Sequence, residues 1–262
     1  MATPIGLDSA MPSQLFILTG ASRGLGAALA EALLRPGHRL LCLSRTTSAT
    51  LTETARQAAT ACEQWAIDLA EPVQAAARLQ AWLAALNGAD FDTATLINNA
   101  GVVPRVGPMD ECADAELSAA LRVGLEAPML LTAAFVRATQ TWPARRRVLN
   151  ISSGLGRRAM AGSAAYCAAK AGMDHFSRAL ALDEAQRGNG ARIVSLAPGV
   201  IDTGMQAQLR GAEPAGFPEQ GNFIKLKEGG LLSSARDAAA RVLVFLDRAD
   251  FGVNPVADVR DA

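Results

Sequence analysis

The sequence has 262 residues, half of them hydrophobic and 19% charged, which is enough to bury one large core. Its 25 basic and 25 acidic side chains give a formal net charge of zero, so composition argues against a nucleic-acid partner and an anionic membrane surface.

Residues 1–13 are predicted to be a loose leader, because they lack the basic and apolar regions of a signal peptide. We expect no membrane span, because no apolar run reaches the required length. The four cysteines are widely spaced and are not clustered with histidines, so we predict reduced thiols and no metal site. These features are typical of a cytoplasmic protein.

From residue 15 onward, short apolar runs of strand type alternate with Ala/Leu-rich helical stretches. The predicted strands are Leu15–Leu18, Arg39–Leu43, Gln64–Ile67, Thr95–Ile97, Arg147–Ile151 and Arg192–Leu196. Helices are predicted near 24–35, 50–60, 72–86, 114–140 and 163–187. This alternation predicts a single-domain Rossmann fold of the α/β class over 1–262, a doubly wound parallel sheet with helices on both faces. Residues 203–234 break the pattern and are predicted to be a substrate lid loop with one short helix.

The segment 19–26, TGASRGLG, follows the first predicted strand and opens the first predicted helix. Glycines at such a turn let backbone N–H groups approach a pyrophosphate at a helix N-terminus. The segment therefore predicts a dinucleotide site. Its candidate cofactor-binding residues are Gly20, Ser22, Arg23, Gly24, Leu25 and Gly26.

The residues after the second strand predict which dinucleotide binds. An NAD site usually has a carboxylate there, whereas this strand ends in Ser44 and Arg45. Arg23 is a second cation close to the same place. Two guanidinium groups suit the 2′-phosphate of NADP(H), which is therefore the predicted cofactor.

From Thr19 to Thr203 the chain resembles the short-chain dehydrogenase/reductase family. The motifs that carry the resemblance are TGxxxGxG at 19–26, NNAG at 98–101, a serine at Ser153, YxxxK at Tyr166 and Lys170, and the Pro198-Gly199 turn. The resemblance implies catalytic roles for Ser153, Tyr166 and Lys170. It also implies a cofactor contact for Tyr166, for Lys170 and for residues that follow the strands, namely Asp68, Leu69, Asn99, Ala100, Gly101, Pro198, Gly199, Val200 and Thr203.

Tyr166 is the only tyrosine, and Lys170, one of three lysines, lies four residues after it. On a helix this spacing places both side chains on one face. A carbonyl that accepts hydride also needs a proton, which Tyr166 would donate while Ser153 holds the substrate oxygen. Bringing a phenol pKa from about 10 to about 7 requires roughly 4 kcal/mol. One cation about 4 Å away supplies that much at an effective dielectric near 20, so Lys170 and the nicotinamide cation suffice in magnitude.

Gly124 stands where most family members have a catalytic asparagine. In the family the main-chain carbonyl of that residue holds a relay water. Pro128 has no N–H to bond the carbonyl four residues earlier, so Gly124 is predicted to keep a free carbonyl for that role. On this interpretation, the identity of residue 124 should matter little.

The last third of the chain most resembles the sepiapterin reductase and benzil reductase-like branch. The predicted function is NADPH-dependent reduction of a ketone or dicarbonyl to an alcohol. Candidate substrate residues are Ser153, Met205, Phe217 and Asp258. Two alternatives stay open: a 3-oxoacyl carrier-protein reductase and a non-catalytic NADP(H)-binding sensor. The resemblance implies that the helices at 114–140 and 163–187 pair with their copies in a second subunit. Their apolar residues Leu130, Leu131, Phe135, Phe176 and Leu180 predict a homodimer or homotetramer.

Overall fold

In the computed structural model, which describes residues 13–261, a seven-stranded sheet lies at the centre of the fold. The strands run in the order β3-β2-β1-β4-β5-β6-β7, and every neighbouring pair is parallel. Their bounds are β1 Gln14–Thr19, β2 His38–Ser44, β3 Ala61–Ala66, β4 Thr93–Asn98, β5 Arg145–Ile151, β6 Arg192–Ala197 and β7 Val256–Asp258. The predicted parallel Rossmann sheet is thus confirmed. Because all strands point the same way, their carboxyl ends share one edge.

Helices cover both faces of this sheet. Their bounds are α1 Gly24–Leu33, α2 Ala49–Gln57, α3 Pro72–Ala84, α4 Asp114–Leu121, α5 Ala127–Ala138, α6 Ala164–Ala185, α7 Gly204–Arg210, α8 Gln220–Glu228 and α9 Ala235–Leu246. One apolar core lies between the sheet and α1, α2 and α9, and a second lies between the sheet and α3 and α5. Alternate residues of β1 point into the two cores, as the period of a strand requires.

Three parts of the fold differ from the sequence prediction. The predicted helix at 114–140 is interrupted by a π-helical turn at Arg122–Glu126. The predicted lid loop contains two short helices, α7 and α8, instead of one. The elements α9 and β7 were not predicted. The predicted leader lies outside the described residues except for Ser13, whose N–H donates to Asp92.

The segment Asp114–Ala138 is long and apolar enough to cross a membrane by length and composition alone. Half of its most apolar window is buried within the fold. The helix α5 within it packs against α3 and the second core. We therefore interpret the segment as a core helix.

Candidate active site

The Gly-rich turn after β1 is held in shape by Asn99, which follows β4. The Asn99 side chain donates to the carbonyl oxygens of Thr19 and Gly20, at 3.0 and 3.3 Å. The Thr19 hydroxyl accepts in return from the backbone N–H groups of Asn99 and Ala100, both at 2.9 Å. These bonds leave no room for a side chain at Gly26, where a Cβ would lie 2.0 Å from the Gly20 carbonyl oxygen.

Gly20 and Gly24 both have a positive φ angle, +71° and +56°, which residues other than glycine rarely adopt. Gly24 also faces the start of α7, since a Cβ there would lie 3.3 Å from Thr203 Cγ2. The turn and the helix N-terminus thus form a bare backbone cradle that fits a dinucleotide pyrophosphate.

Two exposed guanidinium groups flank this cradle. Arg23 lies in the Gly-rich turn, and Arg45 follows β2. Neither forms an ion pair with a carboxylate in the part of the chain that the structure describes, although many other arginines do. Ser44, at the end of β2, is buried. Two unpaired cations beside a phosphate cradle fit a ligand with an additional phosphate.

The other predicted cofactor residues lie along the same edge of the sheet. Asp68 is exposed and accepts the backbone N–H of Ala70 at 2.9 Å, whereas Leu69 is buried. Gly199 turns the chain after β6 with φ +84°. The structure brings all these residues to the carboxyl edge, in the segments that follow their strands: Asp68, Leu69, Ala100, Gly101, Pro198, Gly199, Val200 and Thr203.

The predicted catalytic residues come together beside the cradle. Tyr166 and Lys170 lie one turn apart on α6, and the Lys170 Nζ atom is 5.7 Å from the centre of the Tyr166 ring. Ser153 begins the 3₁₀ turn Gly154–Gly156 after β5 and hydrogen-bonds to the Tyr166 side chain. Lys170 is 3% exposed, and its ammonium donates to the Ile151 carbonyl at 2.7 Å.

Burial governs the protonation of this pair. It raises the pKa of the Tyr166 phenol to about 12, against the smaller lowering effect of the hydrogen bond with Ser153. Burial lowers the pKa of Lys170 to about 8, and the negative charge of Asp174 opposes that change. Contrary to the expectation from the Lys170 charge, the chain alone therefore does not bring the phenol pKa toward 7, because burial disfavours the phenolate.

Sequence reasoning missed the buried residue Asp174, which is 1% exposed and lies one turn beyond Lys170 on α6. Its carboxylate accepts hydrogen bonds from the hydroxyl groups of Ser152 and Ser195, at 2.6 and 2.7 Å. The spacing of four residues from Lys170 is a signal that could have identified it.

Gly124 lies in the π-helical turn, where the Ala127 N–H bonds to the Arg122 carbonyl. Pro128 follows and cannot donate to the carbonyl of residue 124. A Cβ at residue 124 would lie 3.1 Å from the Ala169 Cβ, so a side chain there would require the π-helical turn or α6 to shift by a few tenths of an ångström. The expectation that the identity of residue 124 matters little for activity stays a prediction.

The substrate candidates have different environments. Met205, on α7, lies over the site, since a Cβ at Gly101 would be 3.9 Å from Met205 Cε and 3.8 Å from Lys170 Nζ. Phe217 is fully buried in a small lid core, where it stacks on Phe223 at 5.6 Å, so it presents no face to a substrate. This packing contradicts the prediction for Phe217.

Asp258 ends β7 and is also buried. Arg260 binds its carboxylate with two bonds of 2.8 and 2.6 Å, and this pairing lowers the pKa of Asp258. Its carboxylate is thus already paired within the chain, which does not favour a substrate contact.

Residues 14–214 match the family model described as short chain dehydrogenase. The chain belongs to the short-chain dehydrogenase family. Within this family it is 34% identical to a benzil reductase ((S)-benzoin forming) of Bacillus cereus, over 90% of this chain and 94% of the relative. It is 31% identical to a sepiapterin reductase of Xenopus laevis, over 91% and 92%. The branch predicted from the sequence is thus confirmed.

A 3-oxoacyl-[acyl-carrier-protein] reductase of Salmonella typhimurium is also similar, at 30% identity over 87% of this chain and 88% of the relative. Among solved structures, a metagenomic short-chain oxidoreductase in complex with NADP has 28% identity and a TM-score of 0.69, over 94% of this chain and 95% of the other. This short-chain dehydrogenase is therefore an oxidoreductase, and the relatives named here are reductases.

Proposed function

We propose that this short-chain dehydrogenase reduces a ketone or dicarbonyl to an alcohol with NADPH, and that Tyr166 is the proton donor. The observation that carries the proposal is the grouping of Ser153, Tyr166 and Lys170 beside the Gly-rich cradle. NADPH supplies the hydride when bound. A non-catalytic sensor would not need this grouping.

Each catalytic residue has one task in this proposal. The Ser153 hydroxyl orients the substrate carbonyl oxygen toward Tyr166. The Tyr166 phenol, whose pKa of about 12 keeps it neutral at pH 7, holds the proton that the oxygen receives. The Lys170 ammonium lies near the ring and stabilises the phenolate that remains.

The preference for NADPH is supported by Arg23 and Arg45, which have no carboxylate partner among residues 13–261. The NADP bound to the metagenomic structural relative is consistent with this preference.

The substrate side of the site favours an apolar, flat compound. The half-buried side chains of Leu155 and Cys167 lie next to the catalytic residues and pack against the lid core, and Met205 lies over the site. Apolar walls of this kind suit aromatic diketones such as those that the name of the Bacillus relative indicates.

The proposal is tested by following NADPH oxidation with a substrate panel of aromatic α-diketones, pterins, quinones and acetoacetyl thioesters. We expect the highest kcat/KM for aromatic α-diketones. The Salmonella relative supports the alternative, a 3-oxoacyl carrier-protein reductase. Turnover of acetoacetyl thioesters alone would favour that alternative, and no turnover with any compound would contradict the proposal.

A further inference from the structure

The carboxylate of Asp174 connects three segments behind the catalytic residues. Its Oδ1 atom accepts the hydroxyl of Ser152, after β5, at 2.6 Å and that of Ser195, on β6, at 2.7 Å. Its Oδ2 atom accepts the Arg157 Nε–H at 3.2 Å. A buried carboxylate is costly unless it is paired and hydrogen-bonded, so each of these contacts offsets part of its desolvation.

Ser152 lies between two groups on which the proposed chemistry depends. On one side, the Ile151 carbonyl accepts the Lys170 ammonium at 2.7 Å. On the other side is Ser153, which hydrogen-bonds to Tyr166. A bond that fixes Ser152 therefore fixes the Lys170 acceptor and the serine hydroxyl together.

The turn after Ser153 is also seated directly on Asp174. A Cβ at Gly156 would lie 2.9 Å from Asp174 Oδ2 and 2.9 Å from the Lys170 carbonyl oxygen. Arg157, at the end of this turn, donates to Asp174 and to the Ala257 carbonyl at 2.8 Å. The contact between this turn and α6 thus depends on the residues around one carboxylate.

We propose that Asp174 is a positioning residue: its buried carboxylate fixes the strand end that carries Ser153 and balances the charge of the buried Lys170 ammonium. The opposing effect of Asp174 on the lowered pKa of Lys170 agrees with this role. The charged or titratable groups around Lys170 and Asp174 are Tyr166 and Cys167 on α6, Arg157 after the 3₁₀ turn, and Asp258 and Arg260 at the end of the sheet.

Asp174→Asn removes the negative charge and keeps the geometry at Oδ1, although the hydrogen bond that Oδ2 accepts from Arg157 is lost. Both serine hydroxyls bond to Oδ1, so the amide oxygen of asparagine can keep them while the negative charge is lost. The matched control is Glu184→Gln, which changes another buried carboxylate of α6 that pairs with Arg146 at 3.6 Å. Glu184 has no contact with the catalytic residues among the hydrogen bonds of the described chain.

The first readout is the titration of Lys170, followed by NMR on protein that carries ¹³C-labelled lysine. The chain has only three lysines, so few signals need to be resolved. We expect Asp174→Asn to lower the pKa of Lys170 by at least about one unit, and Glu184→Gln to leave it unchanged. An unchanged Lys170 titration in folded Asp174→Asn would overturn the proposal. This readout does not require activity, so it is independent of the proposed function.

The second readout rests on the proposed function. The rate of carbonyl reduction should decrease above a pH near the Lys170 pKa of about 8. This decrease should begin at a lower pH in Asp174→Asn, but not in the Glu184→Gln control. A lower kcat with an unchanged pH dependence would show that Asp174 has only a structural role, and it would contradict the proposal.

If Asp174→Asn does not fold, Arg157→Gln provides the test of the proposal. Its side chain is 30% exposed, and removing its positive charge leaves the carboxylate less balanced. We then expect the pKa of Lys170 to rise, by less than the decrease that we expect in Asp174→Asn. The absence of an upward shift would overturn the proposal.

Discussion

Tyr166 is the residue on which the proposed proton transfer depends. We expect Tyr166→Phe to lower kcat by about 10²- to 10⁴-fold, because the variant keeps the ring and loses the donated proton. NADPH affinity should stay nearly unchanged, since the proposed phosphate site is the Gly-rich turn and not the phenol. Steady-state kinetics and an NADPH fluorescence titration measure the two effects. A variant that keeps more than a few per cent of activity would show that another group donates the proton.

Arg45 carries the proposed cofactor preference together with Arg23. We expect Arg45→Asp to reverse or abolish the preference for NADPH over NADH, because a carboxylate would repel the 2′-phosphate and accept from ribose hydroxyls. The matched control is Arg35→Asp, an equal charge change at the exposed end of α1, where Arg35 Nε donates to Ala32.

The measurement is kcat/KM with each cofactor for both variants and the unmodified enzyme. Equal efficiency with NADPH and NADH in the unmodified enzyme would refute the preference.

At the scale of elements, the π-helical turn between α4 and α5 interrupts the helical segment that carries Gly124 and Pro128. We expect Pro128→Ala to lower turnover, because the restored N–H can bond the Gly124 carbonyl and remove it from the relay. Cofactor affinity should not change. Because residues before Pro128 are also helical, the restored hydrogen bond lies inside a continuous helical run and should raise the melting temperature.

The matched control for this variant is Pro72→Ala, at the first position of α3, which should not affect turnover. Steady-state kinetics and thermal unfolding of both variants provide the comparison. Unchanged turnover in Pro128→Ala would contradict the prediction that the Gly124 carbonyl holds a relay water.

The elements differ in how far the sequence could predict them. Five of the six longer strands contain a buried apolar run, so their pattern was sufficient. The strand β3 includes Glu63 and Gln64, and it begins three residues before the predicted strand. By contrast, β7 has three residues, too few for a periodic signal, and α9 begins at a Ser234 cap that accepts from the Asp237 N–H. That cap could have been recognised in the sequence.

The site shows the same division. Tyr166 and Lys170 follow from spacing on one helix. The hydrogen bonds that Ser152 and Ser195 donate to Asp174 join three segments of the chain, and the burial of Phe217 depends on how the lid packs. Neither feature could be predicted from a local sequence pattern.

At the scale of the whole molecule, we expect a dimer or tetramer. Of the five apolar residues expected at an interface, Leu131 and Phe135 are fully buried in the core, whereas Leu130, Phe176 and Leu180 are half-buried. Exposed apolar surface remains at Leu121 and Met129, 42% and 39% exposed, which line one groove along α4 and α5 with Leu125. Such a groove is a reason to expect pairing with a second copy.

The test is light scattering at micromolar concentration. The double variant Leu121→Glu with Met129→Glu should lower the measured mass toward that of a smaller species, because two buried charges at an interface are unfavourable. Val73→Glu, at a residue 67% exposed on α3, is the control and should not alter the mass. A monomeric unmodified protein would contradict the expectation.

The hydrogen bonds from Asn99 to the Gly-rich turn have a consequence for folding, because Thr19 and Asn99 are 80 residues apart in the chain. Contacts of this kind form only after a large loop has closed, which makes them slow. A nascent chain that has not yet reached β4 would therefore lack the bonds that shape its nucleotide-binding turn. NADPH would then slow the unfolding of the finished protein without accelerating its refolding.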